Sequence, residues 1–310
     1  MLPSLLSERL FLGDGGVETT MIFDEGIELP EFASFVLLDD ETGIDALRRY
    51  YGGYIAIARA HRLGFTLDTP TWRASRDWGE ELGYSPAALA EANRRAVALG
   101  EEIRAAEEGP DNPIAVCGTL GPRADAYSDE SEMSPAEAEA YHSEQISTFA
   151  GTAAEMVSAY TLPYAGEAIG MVRAAGAAGI PISISFTVET DGRLPSGQAL
   201  GDAIVQVDEE TGGGAAYFMV NCAHPTHFAR AVEAGGEWLA RIGGFRPNAS
   251  RKSHAELDEA SDLDRGDPGE LGRLYTELKP RLANLRVLGG CCGTDTRHVA
   301  AICDDWLGDR

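Results

Sequence analysis

A chain of 310 residues that is 44% hydrophobic and 24% charged has enough apolar material for a large core and is typical of a globular protein. Its net charge of −25 argues against nucleic acid or an anionic membrane surface as a partner. With no run of eighteen apolar residues, no basic signal sequence and an odd number of cysteines, we expect a cytoplasmic protein with reduced thiols and no membrane span.

Eight short apolar segments recur along the chain, each typical of a buried β-strand. They begin near residues 9, 64, 113, 156, 181, 215, 239 and 285 and read RLFLGDG, GFTLDT, PIAVCGT, MVSAYT, PISISFT, AAYFMVNC, LARIGG and LRVLGG. Amphipathic stretches separate them, and two of these, at 85–108 and 134–155, open with Ser-Pro, which is typical of a helix N-terminus.

Apolar strands that alternate with helices predict a parallel sheet covered on both faces. Eight such units predict an α/β protein with a (β/α)8 barrel (TIM barrel) fold, organised as a single domain over residues 1–310. An open doubly wound sheet is the alternative, but no G-x-G-x-x-G follows the first strand.

Two polar segments interrupt the alternation of strands and helices. Residues 247–270 are acidic and show little periodicity, which predicts a long loop that we expect to cover the rim of the barrel as a lid. Residues 125–135 have a similar composition. Neither segment has the character of a linker that would divide the chain.

The five cysteines fall into two groups by position. Cys117 lies within a predicted strand and Cys303 in a terminal amphipathic helix, so both are interpreted as small buried hydrophobic residues. Cys222 ends the sixth predicted strand, and the adjacent Cys291 and Cys292 follow the eighth in a glycine-rich turn. In a barrel these three residues lie at the carboxyl-terminal rim, where the active sites of this fold are built.

Three thiolates form a soft donor set that suits zinc, and three protein ligands leave a fourth position open for a substrate. Adjacent cysteines cannot easily bond to each other, but glycines beside them allow both to face one ion. We therefore predict a Zn²⁺ site formed by Cys222, Cys291 and Cys292. His224 is either an alternative ligand or, as we expect, a residue that supports the ligands. Such a site favours the binding of a substrate thiol as a thiolate for alkylation.

Five motifs, GDGGVETTM, VCGTLGP, FMVNCAHP, RPNA and GGCCGT, resemble the homocysteine S-methyltransferase family in content and order over nearly the whole chain. The resemblance implies a zinc-dependent homocysteine-binding barrel that moves a methyl group from a small onium-type donor to homocysteine, giving methionine. It also implies that Cys222, Cys291 and Cys292 are the zinc ligands. The implied donors are S-methylmethionine, S-adenosylmethionine, betaine-like compounds or a methylated corrinoid on a separate protein.

The same resemblance assigns residues to the substrate. Asp14 is implied to contact the ammonium group of homocysteine, while the backbone of Gly15 and Gly16 approaches its carboxylate. Where the family typically carries Glu-Thr after the fourth strand, this chain has Tyr160 and Thr161. A phenol does not neutralise an ammonium charge, so a different small thiol is an alternative acceptor.

Trp72 follows the second predicted strand and Tyr160 lies at the end of the fourth. They either line the substrate pocket, where their ring faces suit an onium donor, or pack inside the barrel. Two other classes remain as alternatives: a zinc-binding or redox-responsive protein without catalysis, and a hydrolase that uses zinc-activated water. The resemblance favours the methyltransferase.

Overall fold

The computed structural model describes residues 9–127, 132–260 and 262–308. Eight parallel strands form a closed barrel in chain order, with the first strand also paired to the last. The strands are β1 Phe11–Leu12, β2 Gly64–Asp68, β3 Ile114–Leu120, β4 Met156–Leu162, β5 Ile182–Phe186, β6 Tyr217–Asn221, β7 Ile242–Arg246 and β8 Val287–Leu288. The (β/α)8 barrel predicted from the alternation of strands and helices is confirmed.

Helices follow the strands and surround the barrel. They are α1 Val17–Phe23, α2 Glu41–Ala60, α3 Arg76–Glu81, α4 Pro86–Glu107, α5 Pro135–Ala150, α6 Ala165–Ala178, α7 Leu200–Thr211, α8 Pro225–Glu233, α9 His254–Asp258, α10 Pro268–Glu277 and α11 Thr296–Leu307. Within the described residues, no helix is both long and apolar enough to cross a bilayer.

Both Ser-Pro sequences begin helices, as predicted. The hydroxyl of Ser85 accepts a hydrogen bond from the backbone N–H of Ala88 at 3.2 Å. Ser134 forms a capping box with Glu137, in which each side chain accepts from the other residue's backbone N–H. These contacts satisfy N–H groups that have no partner inside the helix and so fix where α4 and α5 begin.

Two predicted elements differ from the structure at their boundaries. The seventh strand begins at Ile242 and not at residue 239, because residues Glu237–Arg241 form a 3₁₀ helix. The 247–270 segment is not a continuous loop, since α9 and the first residues of α10 lie within it. A capping box at Ser253 and the side chain of Asp267, which caps α10, start these two helices despite the weak periodicity of the segment.

The barrel interior changes character along its axis. Apolar side chains that include Phe11, Met156 and Met219 fill its lower part together with Cys117, which is 1% exposed. Cys303, on α11, is fully buried, so both cysteines are packed in the core as predicted. Towards the carboxyl ends of the strands the interior residues become polar and charged, and this upper layer forms the floor of a pocket.

Candidate active site

Cys222, Cys291 and Cys292 meet at the carboxyl-terminal rim of the barrel. Their three sulfur atoms lie within 4.8 Å of one another, and the sulfurs of Cys222 and Cys292 are 3.8 Å apart. Two sulfurs bound to a tetrahedral zinc ion at about 2.3 Å each are themselves about 3.8 Å apart. The spacing and the chemistry of this donor set therefore fit a zinc ion held by three thiolates.

Glycines allow the turn after β8 and the loop after β1 to approach each other at this point. A Cβ on Gly16 would lie 2.8 Å from the carbonyl oxygen of Cys291 and 3.1 Å from Cα of Cys292. Gly293 has a φ of +76°, a conformation that residues with a Cβ rarely adopt. The predicted role of the glycines, to let two adjacent cysteines face one point, agrees with this geometry.

Asn221 ties the ends of β4, β5 and β6 to the sulfur cluster. Its side-chain oxygen accepts hydrogen bonds from the backbone N–H of Thr161 at 2.9 Å and from the hydroxyl of Ser185 at 2.6 Å. Its amide nitrogen donates to the hydroxyl of Thr161 and lies 3.7 Å from the sulfur of Cys291. Thr161 and Cys222 both have positive φ, at 63° and 52°, so this network holds strained backbone at the site.

The contacts among the three cysteines give their thiols different pKa values. Hydrogen bonds from Cys222 and Cys292 lower the pKa of Cys291 well below its usual value. The same contacts with a neighbouring sulfur raise the pKa of Cys222 and of Cys292. Cys291 is therefore the cysteine of the three whose thiolate is most favoured, and a bound divalent cation would allow all three to ionise.

The lid segment makes direct contact with this cluster through His254, at the start of α9. Its Nε2 lies 2.7 Å from the carbonyl oxygen of Cys222, and its Nδ1 lies 2.8 Å from the carboxylate of Glu189. The ring also stacks on Tyr127 with a centroid distance of 3.8 Å. Residues of the same segment, including Leu257 and Leu263, line the pocket. That the segment acts as a lid stays a prediction.

His224 is not placed as the sequence analysis expected. Its Nδ1 lies 2.8 Å from the hydroxyl of Thr226, and the ring caps α8. It is absent from the group of potential metal ligands found among the described residues. The histidine that supports Cys222 is His254, which is distant in sequence and was not selected because only the fold brings it near.

A buried charge network forms the floor of the pocket around Arg246, the first residue of RPNA. The guanidinium donates to Asp14 on one side and to Asp68 at 2.6 Å on the other. It also donates to the hydroxyl of Tyr160 at 3.1 Å and to the carbonyl of Gly290 at 2.9 Å. Two carboxylates face one guanidinium, so the network carries a net negative charge when all three groups are ionised.

Burial opposes ionisation in this network. Desolvation raises the pKa of Asp68 to about 7 and lowers that of Arg246 to about 10. The direct ion pair between Asp68 and Arg246 has the opposite effect on both pKa values, because each charge stabilises the other. The hydroxyl of Tyr160 donates to Asp68 at 2.9 Å and further favours the carboxylate. Asp68 and Arg246 were both within quoted motifs, but the sequence analysis assigned them no role.

The pocket above this floor has a volume of about 610 Å³. Every residue that the sequence analysis assigned to substrate or metal lines it: Asp14, Gly15, Gly16, Trp72, Tyr160, Cys222, Cys291 and Cys292. Trp72 donates its indole N–H to the backbone oxygen of Tyr160 at 3.3 Å, so the two aromatic residues are neighbours in the pocket wall. The fold thus gathers predicted residues from β1, β2, β4, β6 and β8 into one cavity.

Glu18, on α1, is a further carboxylate of the pocket wall. The hydroxyl of Ser34 donates to it at 2.7 Å, but burial dominates and raises its pKa to about 7. The charge of Cys291 also raises this pKa, whereas the charge of Arg73 lowers it. The carboxylate therefore lies close enough to both residues to respond to their charges.

The raised pKa of Glu18 predicts a pH-dependent stability of the metal-free protein. The folded state binds this proton more tightly than the unfolded state, so stability falls as pH rises from about 4.5 to about 7. Glu18→Gln removes the titration and keeps an acceptor for Ser34. Relative to the variant, the free energy of unfolding of the wild type is expected to fall by about 1–3 kcal/mol between pH 4.5 and pH 8. Urea unfolding measures this difference. Parallel pH profiles for the two proteins would contradict this prediction.

A barrel with a cluster of three thiols at its carboxyl-terminal rim, open to a pocket, defines an enzyme of the (β/α)8 class with thiol chemistry. Residues 11–306 match the sequence family described as homocysteine S-methyltransferase. The chain belongs to this family and is a methyltransferase that acts on a thiol, as the resemblance of its motifs implied. A comparison with curated proteins gives no match.

Solved structures agree with the fold. The homocysteine methyltransferase MmuM from Escherichia coli matches in its oxidised form with a TM-score of 0.77 and 20% identity, over 97% of this chain and 98% of that one. Its metallated form matches with a TM-score of 0.74 and 19% identity over the same shares. The apo form matches with a TM-score of 0.65 and 18% identity, over 96% of this chain and 95% of that one. These identities are low, so the match supports the architecture alone.

Proposed function

We propose that this protein transfers a methyl group from a small onium-type donor to the thiol of homocysteine, giving methionine, with zinc at Cys222, Cys291 and Cys292. The observation that carries the proposal is the sulfur cluster, which opens onto a pocket whose volume of about 610 Å³ accommodates two small molecules. Zinc bound there would hold the substrate thiol as a nucleophilic thiolate at neutral pH.

The amino-acid end of the acceptor is proposed to lie at the charged floor of the pocket. Asp14 and Asp68 together exceed the single charge of Arg246, which favours a cationic ammonium group nearby. Tyr160 stands where the family typically has glutamate, and its hydroxyl bonds to Asp68. A carboxylate is therefore one hydrogen bond behind the phenol, which supports homocysteine as the acceptor in spite of the substitution.

The remaining residues orient the reactants and exclude water. His254 and Asn221 fix the loops that carry Cys222 and Cys291, so the sulfurs keep their positions when a ligand enters. The lid segment covers the pocket, and Trp72 and Tyr160 supply aromatic faces that attract an onium cation. Methyl transfer of this kind needs alignment and a desolvated thiolate, with little acid–base chemistry.

The experiment that tests the proposal is calorimetric titration of the zinc-loaded protein with L-homocysteine in two buffers of different ionisation enthalpy. Release of about one proton per molecule bound is expected, because the thiol enters as a thiolate. L-Methionine serves as the control, since it has the same amino-acid end and no thiol proton to release. Absence of homocysteine binding to protein that contains zinc would contradict homocysteine as the acceptor.

A further inference from the structure

Arg73 is a charged residue of the pocket whose charge is not matched by a direct partner. Its side chain lines the same cavity as the cysteines. Its Nε is buried and has no hydrogen-bond partner, and within the described residues no carboxylate forms an ion pair with it at 4.0 Å or less. A guanidinium that is partly removed from water without an anion is unfavourable unless a ligand supplies one.

Two tryptophans hold this guanidinium in place. Its central carbon lies 3.8 Å from the ring centroid of Trp78, on α3, and 5.1 Å from that of Trp72. Contacts with ring faces restrict the side chain while leaving the edge of the planar fork free to donate hydrogen bonds. Arginine held in this way is ready to bind a planar anion such as a carboxylate.

The position of Arg73 after β2 shows which part of the pocket it occupies. Burial lowers its pKa, while the charges of Asp125, Glu31 and Glu18 raise it from beyond ion-pair distance. Asp68, on the floor, is the last residue of β2, whereas Arg73 lies five residues beyond that strand, so Arg73 belongs to the outer wall of the pocket. Glu18 lines the same pocket as Arg73 and the sulfur cluster.

Because methyl transfer is a direct displacement at carbon, the two reactants must occupy different parts of this pocket. The acceptor sulfur must sit at the cysteines, and the donor methyl must approach it from the side that faces away from them. The donor therefore occupies the outer part of the pocket, where Arg73 lies.

We propose that Arg73 binds the carboxylate of a zwitterionic methyl donor and thereby fixes the orientation of the donor's onium centre in the pocket. The onium centre then lies beside Glu18 and the aromatic wall, facing the cysteines. This assignment rests on the proposed methyltransferase function. Arg246, the other arginine that lines the pocket, is already paired with Asp14 and Asp68, so recognition of the carboxylate depends on Arg73.

The group transfer balances for such a donor. The acceptor thiolate forms a carbon–sulfur bond to the methyl carbon while the bond from that carbon to the donor sulfur breaks. The bonding electron pair stays on the donor sulfur, which becomes a neutral thioether. With dimethylsulfonioacetate as donor, the second product is methylthioacetate, and its carboxylate is still held by Arg73.

Two sulfonium probes test the proposal because they differ mainly in the carboxylate: dimethylsulfonioacetate carries one and trimethylsulfonium does not. Arg73→Gln is expected to lower kcat/KM for dimethylsulfonioacetate on the order of 10–100-fold, the range for hydrogen bonds to a charged group. Turnover of trimethylsulfonium and the KM of homocysteine are expected to stay within about twofold of wild type. Arg73→Lys is expected to restore only part of the loss, since it keeps the charge but not the fork.

Binding gives a second readout that does not need turnover. Trp72 and Trp78 contact the arginine, so their fluorescence is expected to change when dimethylsulfonioacetate is added without acceptor. Arg73→Gln is expected to weaken this binding by the same factor. The matched control is Arg76→Gln, at an exposed arginine three residues away that pairs with Glu144 outside this pocket.

Several outcomes would overturn the proposal. If Arg73→Gln raises the KM of homocysteine and spares the donor, the arginine binds the acceptor. If Arg73→Gln lowers kcat/KM equally for both sulfonium probes, or changes it for neither, the residue has only a structural role. Suppose that homocysteine binds with release of a proton but the enzyme does not prefer dimethylsulfonioacetate to trimethylsulfonium. The role of Arg73 would then be wrong, and the proposed function would stand. If dimethylsulfonioacetate binds in a way that depends on Arg73 but homocysteine does not bind, the proposed function would be wrong and the role of Arg73 would stand.

Discussion

Cys291→Ala is expected to reduce bound zinc from about one ion per chain to nearly none and to lower methyl transfer by more than about 100-fold. Changes in groups that only support metal ligands already cost 10–100-fold, so loss of a ligand has a larger effect. Two sulfurs remain in this variant, and the side chain of Asn221 loses its contact with the third. Zinc content by elemental analysis and activity with homocysteine are the measurements.

Cys303→Ala is the matched control for this experiment. Cys303 is a fully buried residue of α11 and lies outside the sulfur cluster, so its replacement removes a thiol from the core without touching the site. The control variant is expected to be less stable but to keep its zinc and its KM. Full zinc occupancy in Cys291→Ala would rule out the ligand assignment.

Arg246→Ala is expected to destabilise the protein by about 3–5 kcal/mol, because it leaves two buried carboxylates without their counter-charge. Arg246 and its partners Asp14 and Asp68 are all less than 9% exposed at their side chains. The change in the free energy of unfolding is measured by urea denaturation near neutral pH. Addition of Asp68→Asn to this variant is expected to recover part of the loss, since one unpaired charge is removed.

Arg48→Ala provides the comparison at the surface. Arg48 lies within 4.0 Å of three carboxylates, those of Glu41, Asp45 and Glu102, yet its side chain is 42% exposed. Solvent screens these pairs, so the expected change in the free energy of unfolding is much smaller than for Arg246→Ala. If Arg246→Ala were as mild as Arg48→Ala, the buried network would not be a determinant of stability.

Much of the architecture could be predicted because strands and helices have local sequence patterns. The near-continuous apolar runs of β2 to β6 are what strands buried on both faces require, and Ser-Pro marks where α4 and α5 begin. The boundaries were less predictable at β1 and β8, which are two residues long because the chain turns into the site directly afterwards. Apolar residues before a strand, such as Leu239, follow the same pattern without belonging to the ladder.

The sulfur cluster was predictable because its residues share one signal, a position just after a strand. The network around Arg246 had no such signal. Asp68, Tyr160 and Arg246 are separated by 86 to 178 positions in sequence, and only the register of β2, β4 and β7 brings them together. For the same reason the sequence predicts a supporting role for His224, two residues after Cys222, and gives no signal for His254, which the fold brings to Cys222.

The seam of the barrel, where β1 pairs with β8, lies under the cysteine turn. The backbone N–H of Gly293 donates to the hydroxyl of Thr19, 274 residues earlier, and Cys292 meets Cys222 across 70 residues. A metal ion held by all three cysteines would connect the chain after β6 to the chain after β8, next to this seam. Its removal would then loosen the closure of the barrel as well as the active site.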